Sequence, residues 1–286
     1  MIDRARRAYG FASEFFSLTA DRNIGLISAG VAFFALLAVF PGIAAFISLF
    51  GLIADPIALQ QQLAVIEDLV PPAAFALLNN QITRLVWSND GTLGWAGAVS
   101  TLIALFLARR GVDAMLRGVN AVHGQARRNG LHHALAVAII TLGMLLAGIV
   151  ALLALLILPV LLAVFPLADA RAHMVDLGRW AISFSMVALW LWVFYRIGPV
   201  RKSGQRPRVL PGLLLALALW VAASAGFSYF LSNFGRYNEV YGSLGAVVAL
   251  LMWFYLSVYV VMLGGVLNTM LEARRADPPT DSPQPG

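Results

Sequence analysis

Long apolar runs alternate with short charged connections along this chain. Six stretches contain no Asp, Glu, Lys or Arg: 24–54, 92–108, 134–165, 180–195, 209–231 and 241–270. The last of them, YGSLGAVVALLMWFYLSVYVVMLGGVLNTM, places aromatic and aliphatic residues at every angle around a helix axis. A water-soluble helix keeps a polar stripe, and this segment has none. At about 1.5 Å per residue it is long enough to cross a hydrocarbon core of about 30 Å with some tilt. Each of the other five is read the same way, with 92–108 and 180–195 at the short end of the usable range. The expected fold is therefore all-α, a polytopic membrane helical bundle of six transmembrane helices spanning 24–271.

The connections carry the punctuation. Residues 1–23 form a predicted amphipathic segment, in which Phe11, Phe15, Phe16 and Leu18 suggest a short helix lying at the membrane interface. The apolar run that follows is too long for the h-region of a signal peptide and lacks a small-residue cleavage site. Pro41-Gly42 falls near the middle of the first run and predicts one bent span, because proline removes an N–H and crowds the preceding turn. Between Asp55 and Gly91, Asp55-Pro56, Pro71-Pro72 and Asn89-Asp90-Gly91 leave two short pieces suited to surface-lying helices, with Trp87 at headgroup level. Residues 109–133, 166–179, 196–208 and 232–240 read as loops. Residues 272–286 end in ADPPTDSPQPG and read as a disordered tail.

Charge adds an orientation. Only 12% of the chain is charged and 60% is hydrophobic, against about 25% charged in soluble domains. Of the twenty basic residues, sixteen fall on the N-terminus, the 109–133 and 196–208 connections and the C-terminus. The opposite side holds Arg84, Arg171, Arg179 and Arg236. Lys and Arg favour the cytoplasmic side, so both termini are predicted to be cytoplasmic. Short basic loops beside spans suit anionic lipid headgroups, at about 1 kcal/mol for each charge. No basic arm or nucleic-acid module is present, so specific nucleic-acid binding is not expected.

Candidate chemistry is sparse. The chain has no cysteine, which excludes disulfides, thiolate metal sites and cysteine nucleophiles. His123, His132 and His133 flank one basic loop and His173 falls on the other side, a distribution that suits interfacial residues better than ligands converging on a metal. P-loop, GxSxG and HExxH patterns are missing. No enzyme activity, metal or cofactor is expected. The spans carry neutral polar residues such as Ser28, Thr141, Asn268 and Thr269 but no charge, which argues against a carboxylate relay at the bilayer centre. The many glycines within spans read as helix-packing positions.

Three stretches together resemble the YihY/BrkB family of bacterial inner-membrane proteins, once labelled ribonuclease BN. They are SAGVAFFALLAVFPG at Ser28–Gly42, GVDAMLRGVNAVHG at Gly111–Gly124, and a third from Gly198-Pro199 through Pro211-Gly212 and Trp220 to YNEVYGSLGAVVALLMWFYLSVYVVMLGGVLN. Asn120, Tyr237, Tyr241, Gly242, Trp253, Tyr255, Gly264 and Asn268 fall on the family's pattern. The likeness covers nearly the whole chain in order and spacing. One departure stands out. The family has an acidic residue after the late glycine, and here Gly264-Gly265-Val266-Leu267-Asn268 puts valine in its place. The resemblance implies a six-helix inner-membrane fold, links to envelope function and virulence, and a ribonuclease label treated as a misassignment.

The leading expectation is an inner-membrane protein of transport or envelope maintenance, acting on a lipid or amphipathic solute. The alternative is a non-transporting scaffold that binds envelope partners, and the remote alternative is a ribonuclease. Candidate positions are Pro41 and Gly42 for a bend that opens a groove, and Asn120 for a cross-helix hydrogen bond near the cytoplasmic surface. Tyr237 and Tyr241 are assigned to the outer mouth and Asn268 to the inner one. Gly242, Trp253 and Gly264 are added as pattern positions.

Overall fold

A computed structural model of the chain describes residues 2–51, 92–123, 130–164, 169–201, 207–232 and 243–276. The surface-lying pieces expected between 55 and 91 fall outside these residues, as do Tyr237, Tyr241 and Gly242. Seven helices make up the described chain: α1 (Ile2–Asp21), α2 (Ile24–Gly51), α3 (Thr92–Val122), α4 (Gly130–Val164), α5 (Asp169–Ile197), α6 (Leu210–Ser232) and α7 (Ser243–Ala276). No strand occurs among the described residues.

Four segments are long and apolar enough to cross a membrane by length and composition: Ile24–Ala45, Gly130–Gly148, Leu210–Leu231 and Val247–Arg275. Phe184–Ile197 forms a shorter apolar stretch within α5. The all-helical, multi-pass character expected from the apolar runs is therefore present, with fewer than six qualifying segments among the described residues. Apolar side chains remain outward on these helices, Leu26, Leu142 and Leu214 among them. In lipid such exposure costs nothing, because acyl chains are as apolar as leucine.

Several boundaries differ from the expected ones. α3 continues past Ala108 through the arginine pair to Val122, so the first half of the expected basic loop is helix. The reason is a helical stripe. Val112, Met115, Leu116, Val119 and Val122 are buried at helical spacing while Arg109, Arg110 and Arg117 point outward. α5 likewise begins at Asp169, inside the expected 166–179 loop. α7 runs on to Ala276, so residues 272–276 belong to a helix and not to a disordered tail. α2 continues through Pro41 without ending, which agrees with one span rather than two. Between α1 and α2, Asn23 adopts a left-handed conformation with φ of 52°, a region that asparagine tolerates better than most residues.

The chain forms two compact units. Unit 1 comprises Met1–Ile24, Met115–Leu219 and Val260–Gly286, and unit 2 comprises Gly25–Ala114 and Trp220–Tyr259. Unit 1 buries Leu116, Val119, Ile140, Phe194, Tyr195 and Met262 almost completely, and α4 packs along α5 within it. Unit 2 is built on small and aromatic residues. Val31, Ala32 and Val112 are buried, the Gly111 backbone lies close to Phe34, and Gly25 lies against the Tyr255 hydroxyl.

Candidate functional site

Strong polar contacts of unit 1 gather where the ends of α3, α5 and α7 meet the start of α6. Two stripes on the last turns of α7 organise them. Residues four apart lie one above another on a helix, so Gly264, Asn268 and Glu272 form one row while Gly265 and Thr269 form its neighbour.

The first row serves the start of α6. Early helical N–H groups have no carbonyl to bond within their own helix. In α6, Pro211 lacks the donor, and the Gly212 N–H donates to Asn268 Oδ1 at 2.8 Å. The Asn268 amide also donates to the Val209 carbonyl at 3.4 Å. One turn on, Glu272 Oε1 accepts the Arg208 N–H at 2.7 Å. One turn back, α6 and α7 touch backbone to backbone. A methyl group on Gly264 would overlap the Gly212 carbonyl and the Tyr195 hydroxyl, and one on Gly212 would overlap the Gly264 carbonyl and the Asn268 amide. Glycine is required at both positions by this approach.

The second row serves the end of α3. Gly265 lies against Val119, with a would-be methyl 3.2 Å from its Cγ2. Thr269 Oγ1 donates to the Gly265 carbonyl at 2.9 Å and sits 3.1 Å from His123 Nδ1. His123 Nδ1 lies 2.9 Å from the Val119 carbonyl, a bond in which the ring nitrogen donates. Its Nε2 is 3.5 Å from Glu272 Oε2.

Arg201 joins this cluster to α5. The carbonyls ending a helix lack intrahelical donors. The Arg201 guanidinium donates through Nη2 to the Tyr195 carbonyl at 2.7 Å and through Nη1 to the Arg196 carbonyl at 2.9 Å. Its Nε lies 3.2 Å from both oxygens of Glu272. The two side chains are 11% and 6% exposed, so the pair is shielded from water. Between Tyr195 and Arg201 the chain turns at Gly198, whose N–H donates to the Phe194 carbonyl at 2.8 Å. Next, the Val200 N–H donates to Asn120 Oδ1 at 2.7 Å. Asn120, expected to bond across helices, instead accepts from a backbone N–H of the connection that follows α5. Tyr195, 1% exposed, donates to the Val261 carbonyl of α7 at 2.6 Å.

The other candidates separate from this cluster. Trp253 belongs to an aromatic group of unit 2, with its ring centroid 5.9 Å from Trp220 and 5.3 Å from Phe227. Pro41 and Gly42 are half-buried on α2, and the space where a Gly42 side chain would stand is open. Val266, in the place of the family carboxylate, is fully buried. Sequence reasoning missed Glu272, Arg201 and Tyr195. The available signal was a lone acid between the last apolar run and Arg274-Arg275, and nothing local pairs it with an arginine 71 positions away.

Among the described residues no three His, Asp or Glu side chains gather as a metal site. What the cluster does chemically is fasten: it satisfies the end groups of two helices and locks a buried carboxylate between a guanidinium, an imidazole and a backbone N–H.

Several apolar helices of membrane-crossing length and composition define a polytopic helical membrane protein. The chain belongs to the virulence factor BrkB family, whose model matches residues 15–286. It is 30% identical over 277 residues to the ribonuclease-like protein YfkH of Bacillus subtilis strain 168, covering 94% of this chain and 97% of that one. It is also 36% identical over 110 residues to a UPF0761 membrane protein of Xanthomonas campestris pv. campestris strain B100. There the match covers 38% of this chain and 25% of the relative. A UPF0761 membrane protein of Xanthomonas oryzae pv. oryzae strain PXO99A is 37% identical over 102 residues, 36% of this chain and 23% of its own. No solved structure matches the chain.

Proposed function

We propose that this chain is a six-span protein of the bacterial inner membrane, with both termini cytoplasmic, that moves or handles a lipid or amphipathic solute in envelope maintenance. It acts without enzymatic chemistry. One observation supports this reading above others. The hydrogen bonds and ion pairs of unit 1 join α1, the ends of α3, α5 and α7 and the start of α6, the very ends that the arginine distribution assigns to the cytoplasm. Arginines lie over aromatic rings midway along α3 and near the end of α5. Arg110 lies 5.0 Å from the Phe106 centroid and Arg196 5.5 Å from that of Trp192. Cations held this way suit the headgroup layer and anionic lipid. A substrate with an anionic headgroup fits that rim, and uncharged spans let its apolar part pass without a buried charge on the protein.

Two measurements test the reading. A reporter fused after Met270 should be cytoplasmic, and a periplasmic signal there rejects the topology. Purified protein in vesicles should speed the exchange of labelled phospholipid between leaflets. Rates equal to empty vesicles reject lipid movement. They would favour the second reading, a non-transporting scaffold, which the tight Gly212–Gly264 contact and closely paired clasp support. RNA cleavage by the same preparation with added divalent metal would instead favour the ribonuclease alternative.

A further inference from the structure

α1 has three sides, and only two of them have an evident use. With about 100° between successive residues, Phe11, Phe15, Leu18 and Thr19 lie on one side. These face the protein: Thr19 is buried and the others are half-buried. A second side carries Gly10, Glu14, Ser17 and Asp21, all exposed and suited to water. The third carries Tyr9, Ala12, Phe16 and Ala20, and it is also exposed, with Tyr9 at 79% and Phe16 at 69%. The centres of the three sides are roughly 120° apart on the same rise and turn.

The helix is not free to turn this apolar side inward. Arg274, from the last turn of α7, donates to Glu14 at 2.6 Å and lies 4.7 Å from the Phe11 ring centroid. Burial of Thr19 with the half-buried Phe11, Phe15 and Leu18 sets the direction in which Tyr9 and Phe16 point, and the half-exposed Arg274–Glu14 pair adds to it. We propose that this third side of α1 lies in the boundary between headgroups and acyl chains of the membrane that the chain spans, with Tyr9 and Phe16 as its anchors.

Three observations favour lipid as the occupant. α1 is joined by the short turn at Arg22-Asn23 to Ile24–Ala45, a segment of membrane-crossing length and composition. That connection leaves it near the end of a span. Aromatic rings prefer this depth of the bilayer, where a ring can be apolar on one side and wet on the other. Arg6 and Arg22 are exposed on the same helix and its turn, which suits anionic headgroups. A helix beside a bundle at a bilayer surface has three neighbours, protein, lipid and water, and the three sides of α1 match them. The inference rests on the chain being a membrane protein. It does not depend on lipid transport or on which leaflet α1 occupies.

The absence of cysteine makes a direct test simple, because any introduced thiol is unique. Single variants Tyr9→Cys, Ala12→Cys and Ala20→Cys report the proposed lipid side, and Ser17→Cys reports the water side. Each is labelled with a nitroxide in the full chain, reconstituted in phosphatidylcholine–phosphatidylglycerol vesicles, and probed by power saturation with oxygen and a nickel chelate. Positions 9, 12 and 20 should collide more with oxygen than with nickel, and position 17 the reverse. Ala12 and Ala20 are small and exposed, so these two variants keep the test informative if the loss of Tyr9 disturbs folding. Greater nickel than oxygen collision at 12 and 20 would put this side in water and overturn the proposal. Spin–spin broadening there that disappears on dilution with unlabelled protein would put a second copy on it and overturn the proposal equally. Loss of phospholipid exchange activity with the expected collision pattern intact would strike the proposed function and leave this assignment standing.

Discussion

The same substitution, glycine to alanine, is expected to act in opposite directions at two positions of this bundle. At Gly264 the added methyl would occupy space held by the Gly212 carbonyl and the Tyr195 hydroxyl, with Ala216 Cβ 3.1 Å away. A carbonyl in a helix cannot move alone, so α6 and α7 must separate locally. Overpacking of this kind costs about 1–3 kcal/mol. The separation also strains the bonds from Tyr195 to Val261 and from Gly212 to Asn268, at about 1 kcal/mol each. Alanine returns about 1 kcal/mol through its better helix propensity. The net expectation for Gly264→Ala is a loss of about 2–4 kcal/mol on these terms. Gly143 in α4 has nothing within 4 Å of a would-be methyl. Gly143→Ala should therefore be neutral or stabilise by up to about 1 kcal/mol. Both variants can be compared by titrating purified protein with SDS in mixed micelles and following helicity by circular dichroism. If Gly264→Ala unfolds with the wild type, or if both variants shift alike, the close contact of α6 and α7 is not what holds that region together.

Three other outcomes follow from the clasp. Removing one member of the shielded ion pair, by Glu272→Gln or Arg201→Gln, should cost about 3 kcal/mol, because the partner is left buried and unmatched. A double-mutant cycle should return a coupling above about 1 kcal/mol, and additive losses would show that the two groups do not act on each other. Asn268→Leu should destabilise more than Asn120→Leu in the same titration. Asn268 is 2% exposed and its loss strands the Gly212 N–H, whereas Asn120 is half-buried and water can reach its partner more easily. Tyr195→Phe should cost only about 1 kcal/mol, since the Val261 carbonyl keeps its place in the helix, and should recover part of the Gly264→Ala loss by removing one of the two clashing groups.

Much of this architecture is readable from hydrophobic patterning, because in a membrane the pattern is the solvent preference of each segment. The apolar runs at 24–54, 134–165, 209–231 and 241–270 coincide with α2, α4, α6 and α7 over their described residues, and Asn120, Gly264 and Asn268, singled out by the family motifs, make helix-end and packing contacts. The same patterning puts loops wherever arginine appears. It fails at α3, where Val112, Met115, Leu116, Val119 and Val122 keep a helical stripe beneath the charges. A charge tells where a segment meets water, and it does not end a helix.

Local pattern is enough for the class of the protein, the course of its apolar helices and the residues of its family motif, since each depends on a short window of the chain. The pairing of distant groups is different in kind. Glu272 reads as one acid before a basic tail until Arg201 and His123 are brought to it from positions 71 and 149 residues earlier, 149 being 272 less 123. Gly212 and Gly264 look like any other glycines until two backbones meet there, while Gly143 meets nothing. In sequence, α1 is a helix with one aromatic side. Packing assigns Phe11 and Phe15 to the protein and leaves Tyr9 and Phe16 facing out, because only a neighbour can cover one side of a helix and not the other.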